Sequence, residues 1–315
     1  MEIILVTGGN GFIGSHLVKH LLKLPVRVYS LDVTDNPRSY YFLQNLDKHS
    51  EFIKADINNF NLLKKTVLKI KPDYIFHLAA ETLVENSFNN PLQTLTTNIM
   101  GSVNILEIAR LSNNVKGVIF ASSDKAYGKL KKGKYVESNP LQGDHPYEVS
   151  KSAADLIASS YFKSYNLPVV VVRSANVYGE GDLNFSRIIP GIMKSVIENS
   201  TLALRSNGKF IRDYIYVEDA VNAYLTILKN FSAISGEAFN ISSGESLSVL
   251  QVISIIQKAL GKKINYQIAN SEKNEIPYQS LNFDKITGKI GWKPQNKIVK
   301  VINQIYTWYR KFYDN

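Results

Sequence analysis

The sequence lacks cysteine altogether and contains no apolar run long enough to cross a bilayer. The absence of cysteine excludes disulfide bonds and thiol chemistry, and it makes the cytoplasm the expected compartment. A membrane-spanning helix needs about 20 predominantly apolar residues, so we expect no association with a membrane. The first residues contain neither a basic leader nor a small-residue cleavage site, so we also expect no secretory signal.

Acidic residues are fewer than basic ones, and the 315-residue chain carries a formal net charge of +10. Most basic residues are scattered along the chain. The one cluster, KLKKGK at residues 129–134, lies in a glycine-containing loop without interleaved aromatic residues. Nucleic-acid binding favours clustered cations with stacking aromatics, so we expect no nucleic-acid partner. An anionic small substrate fits the same charge.

Short runs rich in valine and isoleucine alternate with amphipathic stretches through the first half of the chain. The predicted strands cover residues 3–7, 27–31, 51–54, 74–78, 117–121 and 169–173. The predicted helices lie near residues 12–22, 61–70, 91–111 and 146–165. This alternation is typical of βαβ units, which build a doubly wound parallel sheet with helices on both faces.

After residue 173 the loops lengthen and the predicted strands shorten to residues 202–204, 214–217 and 238–241, with helices at 249–260 and 298–312. We therefore predict an α/β protein in two parts. Residues 1–173 with 213–237 form a Rossmann-type dinucleotide-binding domain, and residues 174–212 and 238–315 form a smaller mixed α/β substrate domain. The active site is expected in the cleft between them.

Three glycines mark the junction of the first strand and the first helix. Gly8 permits a tight turn, Gly11 lets the backbone approach a pyrophosphate, and Gly14 lets the helix pack closely on the strand. Phe12 and Ile13 open the helix, whose N-terminus presents unpaired N–H groups to the phosphates. The spacing predicts a dinucleotide site.

Asp32 ends the second predicted strand, where its carboxylate can accept hydrogen bonds from the adenosine ribose and repel a 2′-phosphate. This position favours NAD over NADP as the cofactor. A turn-capping role for Asp32 is the alternative. Asp56 and Ile57, at the end of the third strand, are candidates for contacting the adenine, although Asp56 fits a turn nearly as well.

Tyr147 and Lys151 stand four residues apart at the start of a predicted helix and therefore share a face. A cation beside the phenol lowers its pKa, so that the phenolate can take the proton of a sugar hydroxyl while hydride leaves for NAD. Tyr127 and Lys131 have the same spacing, but they lie in a glycine-broken loop where that spacing gives no shared face.

Ser123, Asp124 and Lys125 follow the fifth predicted strand, at the edge where parallel sheets bind ligands. Ser123 is a candidate hydrogen-bond partner of the reacting hydroxyl. A neutral Lys125 and a protonated Asp124 would serve as base and acid in expelling a C6 hydroxyl after C4 is oxidised. The alternative is a turn-forming serine followed by a surface Asp-Lys turn.

Taken together, these features resemble the extended short-chain dehydrogenase/reductases that act on sugar nucleotides. The resemblance covers nearly the whole chain. It is carried by TGGNGFIG from Thr7, by Asp32, by HLAA from His77, by Tyr147-xxx-Lys151 and by RDYIYVED from Arg212. Residues 79–110, 122–128 and 173–190 resemble the CDP-glucose 4,6-dehydratase branch most. In dTDP- and UDP-glucose dehydratases a Thr-Asp-Glu set takes the place of residues 123–125, whereas the Asp-Lys version belongs to the CDP-glucose and some related UDP-sugar dehydratases. The RDYIYVED stretch follows the general family pattern and leaves the nucleotide base open.

The resemblance implies a role for each matching residue. Tyr147 would be the base for the C4 hydroxyl, with Lys151 its pKa partner and ribose ligand and Ser123 its hydrogen-bond partner. Asp124 would be the C6 acid and Lys125 the C5 base. Further implied positions are cofactor contacts at Leu78, Ala79 and Ala80, a substrate contact at Asn176, and diphosphate contacts at Arg187 and Arg212.

The implied activity is an NAD-dependent 4,6-dehydratase acting on a nucleoside-diphosphate hexose, without a metal ion. The implied assembly is a homodimer in which helices 91–111 and 146–165 of each subunit form a four-helix interface. Two other functions stay open. A 4-epimerase or 4-oxidase of the same family needs Ser123, Tyr147 and Lys151 alone, and a non-catalytic nucleotide-binding module needs none of them.

Overall fold

The structure is a computed structural model that describes residues 1–130, 133–270 and 276–314. Its strands are β1 Glu2–Thr7, β2 Val26–Asp32, β3 Glu51–Lys54, β4 Tyr74–His77, β5 Gly117–Ser123, β6 Val169–Ser174, β7 Asn176–Tyr178, β8 Leu202–Leu204, β9 Ile211–Tyr216, β10 Ala238–Ile241, β11 Glu245–Ser248 and β12 Tyr266–Ile268. Its helices are α1 Phe12–Leu21, α2 Tyr40–Leu43, α3 Phe60–Ile70, α4 Val84–Asn89, α5 Pro91–Leu95, α6 Gly101–Leu111, α7 Pro146–Tyr165, α8 Ile188–Ile197, α9 Val217–Lys229, α10 Phe231–Ile234, α11 Val249–Leu260, α12 Asp284–Ile290 and α13 Ile298–Asp314.

Seven parallel strands form the central sheet in the order β3-β2-β1-β4-β5-β6-β10. The order reverses between β1 and β4, so a crevice opens where the chain leaves these two strands in opposite directions. Alternate residues of β1 show that both faces are covered. Ile4 and Val6 pack in the core that includes α1 and α9, whereas Leu5 packs in the core that includes α3, α6 and α7. The predicted doubly wound parallel sheet is confirmed.

The strand at 238–241 corrects the predicted division of the chain. We expected it in the smaller substrate-binding part, but β10 pairs with β6 and forms an edge of the central sheet. A four-residue apolar strand has no feature that says which neighbour it will pair with. The predicted strand at 214–217 also differs, because β9 begins at Ile211 and Val217 already belongs to α9.

The remaining strands form two small sheets, β11-β9-β7 and β12-β8. A third apolar core, to which α8, α11 and α13 contribute, lies against them. Within the described ranges, no helix is both long enough and apolar enough to span a bilayer.

The predicted helix at 91–111 is interrupted rather than regular. Residues Thr96–Met100 form a π-helical segment between α5 and α6. Such segments widen the helix by one residue and often occur at functional sites. Here the segment turns the side chain of Asn98 towards the start of α7, which a helical periodicity could not predict.

Candidate active site

The turn between β1 and α1 has no room for side chains at Gly8 and Gly14. Gly8 has a φ of +71°, and a Cβ at Gly14 would lie 2.0 Å from the carbonyl oxygen of Gly8. At Gly11 the nearest atom to an added Cβ is that same oxygen at 3.1 Å, so its outer side faces open space. Phe12 and Ile13 begin the helix beside this open backbone. The arrangement fits a pyrophosphate held against the N-terminus of α1.

Asp32 lies beside the same turn. Its carboxylate accepts hydrogen bonds from the backbone N–H groups of Asn10, at 3.2 Å, and Thr34, at 3.3 Å. Burial raises the pKa of Asp32, and the backbone N–H groups oppose that rise. Asn10, which sequence reasoning missed, also donates through its side chain to the carbonyl oxygen of Thr34. Asp32 therefore lies next to the glycine turn, where the adenosine ribose of a dinucleotide bound at this turn would lie.

The other predicted cofactor residues differ in their surroundings. Leu78, Ala79 and Ala80 follow β4 across the crevice, and the backbone nitrogen of Ala79 lies 2.7 Å from the Cβ that Gly8 lacks. Asp56 is exposed, and its carboxylate accepts from the backbone N–H of Asn58, as the turn-forming alternative predicts. Ile57 is buried against Gly101 at the start of α6.

Tyr147 and Lys151 lie in the first turns of α7, which begins at Pro146 with its φ already suited to a helix. Both side chains are buried, and Lys151 Nζ donates to the carbonyl oxygen of Ala121 at the end of β5, 3.1 Å away. Burial lowers the pKa of Lys151 to about 8, while the carboxylate of Asp155 opposes this shift. Lys151 is therefore easier to deprotonate than an ordinary lysine.

The pKa of Tyr147 is not lowered as we expected. Burial raises it to about 12, against the lowering effects of the Arg187 guanidinium and of a hydrogen bond with Ser123. The predicted cation was Lys151, but Arg187 has the largest lowering effect. The desolvation of a buried phenolate outweighs it.

Asp124 and Lys125 occupy a 3₁₀ turn, Asp124–Tyr127, that directly follows β5. Asp124 is only 1% exposed, so the predicted alternative of a surface Asp-Lys turn is wrong. Its Oδ1 accepts from the Ser123 hydroxyl at 3.1 Å and lies 3.5 Å from Lys125 Nζ. Its Oδ2 is buried and has no hydrogen-bond partner among residues 1–130, 133–270 and 276–314. A carboxyl group and an amino group thus lie together beside Ser123.

Asn176, from β7, joins this group, whereas Arg187 lies near Tyr147. Asn176 Oδ1 accepts from Lys125 Nζ at 3.2 Å, and its amide donates to the backbone carbonyl oxygen of Asp213. Arg187 pairs with buried Asp182 at 3.1 Å. The third predicted substrate residue, Arg212, donates to the carbonyl oxygens of Ile211 and Ile276.

The competing pair of the sequence analysis, Tyr127 and Lys131, has a different environment. Tyr127 is buried and hydrogen-bonded to Arg173 and Asn240. Lys131 lies outside the described residues. The side chain of Tyr127, the last residue of the turn that carries Asp124, is thus held inside the protein.

Sequence reasoning missed the link between the π-helical segment and α7. Asn98 donates to the hydroxyl of Ser150 at 2.9 Å and to the carbonyl oxygen of Glu81, and it accepts from the Glu81 N–H. The Ser150 hydroxyl in turn donates to the carbonyl oxygen of Tyr147. A lone asparagine inside an apolar helical stretch gives no sequence signal for this role.

Comparisons with known proteins show the family to which the chain belongs. A family model described as GDP-mannose 4,6 dehydratase matches residues 5–305. The dTDP-D-glucose 4,6-dehydratase of Bos taurus is 31% identical over 99% of this chain and 90% of its own. The CDP-glucose 4,6-dehydratase of Salmonella typhimurium is 29% identical over 98% and 90%, respectively.

A solved structure is similar to this chain over almost its whole length. The UDP-glucuronic acid 4-epimerase of Bacillus cereus, crystallised with UDP-glucuronic acid and NAD, matches with a TM-score of 0.90. It is 28% identical over 99% of this chain and 100% of that one. This likeness confirms the predicted fold, and the NAD bound to that enzyme agrees with the predicted cofactor.

Substitution of Gly14 by alanine tests the glycine turn. Because the new methyl group would meet the Gly8 carbonyl, α1 must move away from the turn, and we expect NAD to bind at least roughly tenfold more weakly. Calorimetric titration with NAD measures the change. Gly288→Ala, which meets no atom within 4 Å, is the matched control. Unchanged affinity in Gly14→Ala would contradict a cofactor site here.

The lowered pKa of Lys151 predicts a pH-dependent stability. Between pH 8 and about 10.4 the unfolded chain holds a proton on this lysine that the folded protein does not, so the stability contributed by this group rises with pH. Lys151→Met removes the buried charge and should stabilise the protein at pH 7 by up to about 3 kcal/mol. This advantage should shrink towards pH 10.

Urea unfolding at pH 7 and pH 10 measures this difference. Exposed Lys163 lies on the same helix, and Lys163→Met is the control that should show no such pH dependence. If the difference in unfolding free energy between Lys151→Met and the wild type is the same at pH 7 and pH 10, burial does not lower the pKa of Lys151.

Proposed function

The chain belongs to the GDP-mannose 4,6 dehydratase family, and we propose that within it the protein is an NAD-dependent sugar-nucleotide 4,6-dehydratase. The similar proteins named above are two sugar-nucleotide dehydratases and a 4-epimerase. The proposed product is a nucleoside-diphosphate 4-keto-6-deoxyhexose. One observation carries the proposal. Buried Asp124 and half-buried Lys125 lie together beside Ser123, where an epimerase needs neither.

NAD is the proposed cofactor, and the glycine turn with Asp32 is its proposed site. When bound, NAD supplies a hydride acceptor for C4 that returns the hydride to C6, so it ends the turnover oxidised. Gly8, Gly11 and Gly14 would hold its pyrophosphate, and Asp32 its adenosine ribose. The net reaction is loss of water, without net oxidation.

Oxidation at C4 is assigned to the residues around α7. Tyr147 takes the proton of the C4 hydroxyl, and the Ser123 hydroxyl orients that oxygen. Lys151 holds a ribose hydroxyl. Since burial raises the pKa of Tyr147 to about 12 even with the Arg187 guanidinium nearby, proton removal needs further positive charge close to the phenol.

Elimination is assigned to the turn after β5. A ketone at C4 acidifies the C5 proton, which Lys125 removes. Asp124 gives a proton to the C6 hydroxyl as the C6–O bond breaks, so that water leaves. Asn176 holds Lys125 Nζ in place for this step. Lys125 then returns a proton to C5.

The substrate is proposed to be a nucleoside-diphosphate hexose, with CDP-glucose as the first candidate. The Ser-Asp-Lys set at residues 123–125 supports the CDP-glucose branch, and a CDP-glucose 4,6-dehydratase is among the relatives. Arg187 and Arg212 would pair with the diphosphate, for which a forked guanidinium is well suited.

A 4-epimerase is the second candidate. It is favoured by one observation, the TM-score of 0.90 with an enzyme of that activity. Such an enzyme would use Ser123, Tyr147 and Lys151 and leave Asp124 and Lys125 idle. A non-catalytic nucleotide-binding module has no use for a buried tyrosine and lysine beside the cofactor site.

We also propose that the protein is a homodimer. Exposed apolar side chains recur on the two helical stretches that the family resemblance assigns to the interface. Leu92, in α5, is 79% exposed, and Leu156, in α7, is 56% exposed. Val149 lies seven residues before Leu156, on the same helical face. A second copy of these helices would cover this surface.

The reaction is tested in deuterated water with CDP-, UDP-, dTDP- and GDP-hexoses, with products followed by NMR. We expect a 4-keto-6-deoxy product carrying solvent deuterium at C5, because the C5 proton exchanges through Lys125. A 4-epimer without deuterium would contradict the dehydratase proposal and favour the 4-epimerase.

Lys125→Met tests the assignment of the C5 base. Elimination should slow by roughly 10²–10⁴-fold, as is typical for loss of a general base, while C4 oxidation continues and NADH accumulates at 340 nm. Lys129→Met, which removes an exposed lysine four residues away, is the control. Equal loss of both half-reactions would reject the role assigned to Lys125.

Leu156→Glu tests the dimer. A charge buried between two apolar helix faces destabilises the interface, so the variant should sediment as a monomer where the wild type sediments as a dimer. Leu68→Glu is the control, since Leu68 is 45% exposed on α3, outside this surface. A monomeric wild type, or a dimeric Leu156→Glu variant, would contradict the assembly.

A further inference from the structure

Arg173 is a buried cation that the chemistry described above does not use. It lies at the end of β6 with 5% of its surface exposed. Its Nε and Nη2 donate to the two carboxylate oxygens of Asp155 at 2.8 and 2.9 Å. Asp155 is fully buried on α7, one helical turn after Lys151. Burying an ion pair is costly, so its presence calls for a specific role.

The third nitrogen of Arg173 contacts a different element. Nη1 donates to the hydroxyl of Tyr127 at 2.9 Å and to the carbonyl oxygen of Glu137. Tyr127 is the last residue of the 3₁₀ turn that carries Asp124 and Lys125. Its hydroxyl in turn donates a hydrogen bond to Asn240 Oδ1 in β10, 2.7 Å away. One guanidinium therefore joins α7 to the Asp124–Tyr127 turn.

Asp155 also reaches the end of β5. The Ser122 hydroxyl donates to Asp155 Oδ2 at 2.6 Å, one residue before Ser123. Parallel pairing sets Ser122 opposite Arg173 and thereby brings these groups together. Burial raises the pKa of Tyr127 to about 12, so at neutral pH its hydroxyl keeps the proton that it donates to Asn240.

We propose that Arg173 is a positioning residue that holds the elimination pair, Asp124 and Lys125, at a fixed distance from the oxidation pair, Tyr147 and Lys151. Asp155 secures the helix side of this link, and Tyr127 secures the turn side. The inference rests on the proposed function, because only dehydration, and not 4-epimerisation, requires both pairs to act on one bound sugar. Loosening the turn side should therefore slow elimination and spare oxidation.

Tyr127→Phe tests this link with the smallest change. The substitution removes the hydroxyl but retains the ring, which stacks on Tyr135 with centroids 4.8 Å apart. Single turnovers are followed at 340 nm for C4 oxidation and by NMR for the 4-keto-6-deoxy product, using whichever of the CDP-, UDP-, dTDP- or GDP-hexoses the wild type dehydrates. We expect elimination to slow roughly 10- to 100-fold with oxidation within about twofold, so that NADH accumulates.

Tyr161→Phe is the matched control, because Tyr161 also donates a hydroxyl hydrogen bond, to Glu107, but lies outside this network. Both its half-reactions should match the wild type. A Tyr127→Phe variant that slows both half-reactions equally, or neither, would overturn the inference while the dehydratase proposal stands. A wild type that forms no 4-keto-6-deoxy product would overturn both.

Arg173→Lys provides a second test, since lysine keeps the charge but cannot bridge Asp155 and Tyr127 with a fork. We expect the same selective loss of elimination among the molecules that remain folded, as judged by circular dichroism. Full elimination activity in a folded Arg173→Lys variant would also overturn the inference.

Discussion

Parallel pairing of β1, β4, β5 and β6 is the constraint on which the site depends, because it brings the carboxyl ends of these strands to one edge of the sheet. The glycine turn follows β1, Leu78 follows β4, and Ser123 ends β5. None of these short segments would hold its side chains in place without the strand that it follows. Strand register, fixed by backbone hydrogen bonds and by apolar packing on both faces, brings their side chains within reach of one another.

Close packing at this edge has electrostatic consequences. Tyr147 and Lys151 are both buried, and burial shifts their pKa values in opposite directions, to about 12 and about 8. Both shifts favour the neutral form, because a charge loses its hydration inside the protein. Without a bound ligand, Tyr147 is therefore a poor base. A ligand that brings positive charge close to Tyr147 makes it a better base, so ligand binding and proton transfer are linked.

The sequence contains the information for the parts of the site that depend on local geometry. Glycines spaced for a turn, a strand ending in Asp32 and a helix beginning at Pro146 were all predictable, because each depends on residues close together in the chain. Contacts made across the fold were not. Arg187 becomes the cation that acts most on Tyr147, and β10 joins the central sheet, through distant packing that has no periodic signal.

The choice between dehydration and epimerisation depends on how firmly the groups near C5 and C6 are held. To return hydride to the opposite face of C4, an epimerase must let the oxidised sugar turn over, which requires space and few fixed contacts. In this protein Lys125 is held by Asn176, and Asp124 by Ser123, on a turn linked through Tyr127 to the buried Arg173. Rigid groups give their largest rate advantage when the substrate stays in one orientation. The hydrogen bonds that hold this turn therefore favour the proposed reaction at C5 and C6 over inversion at C4.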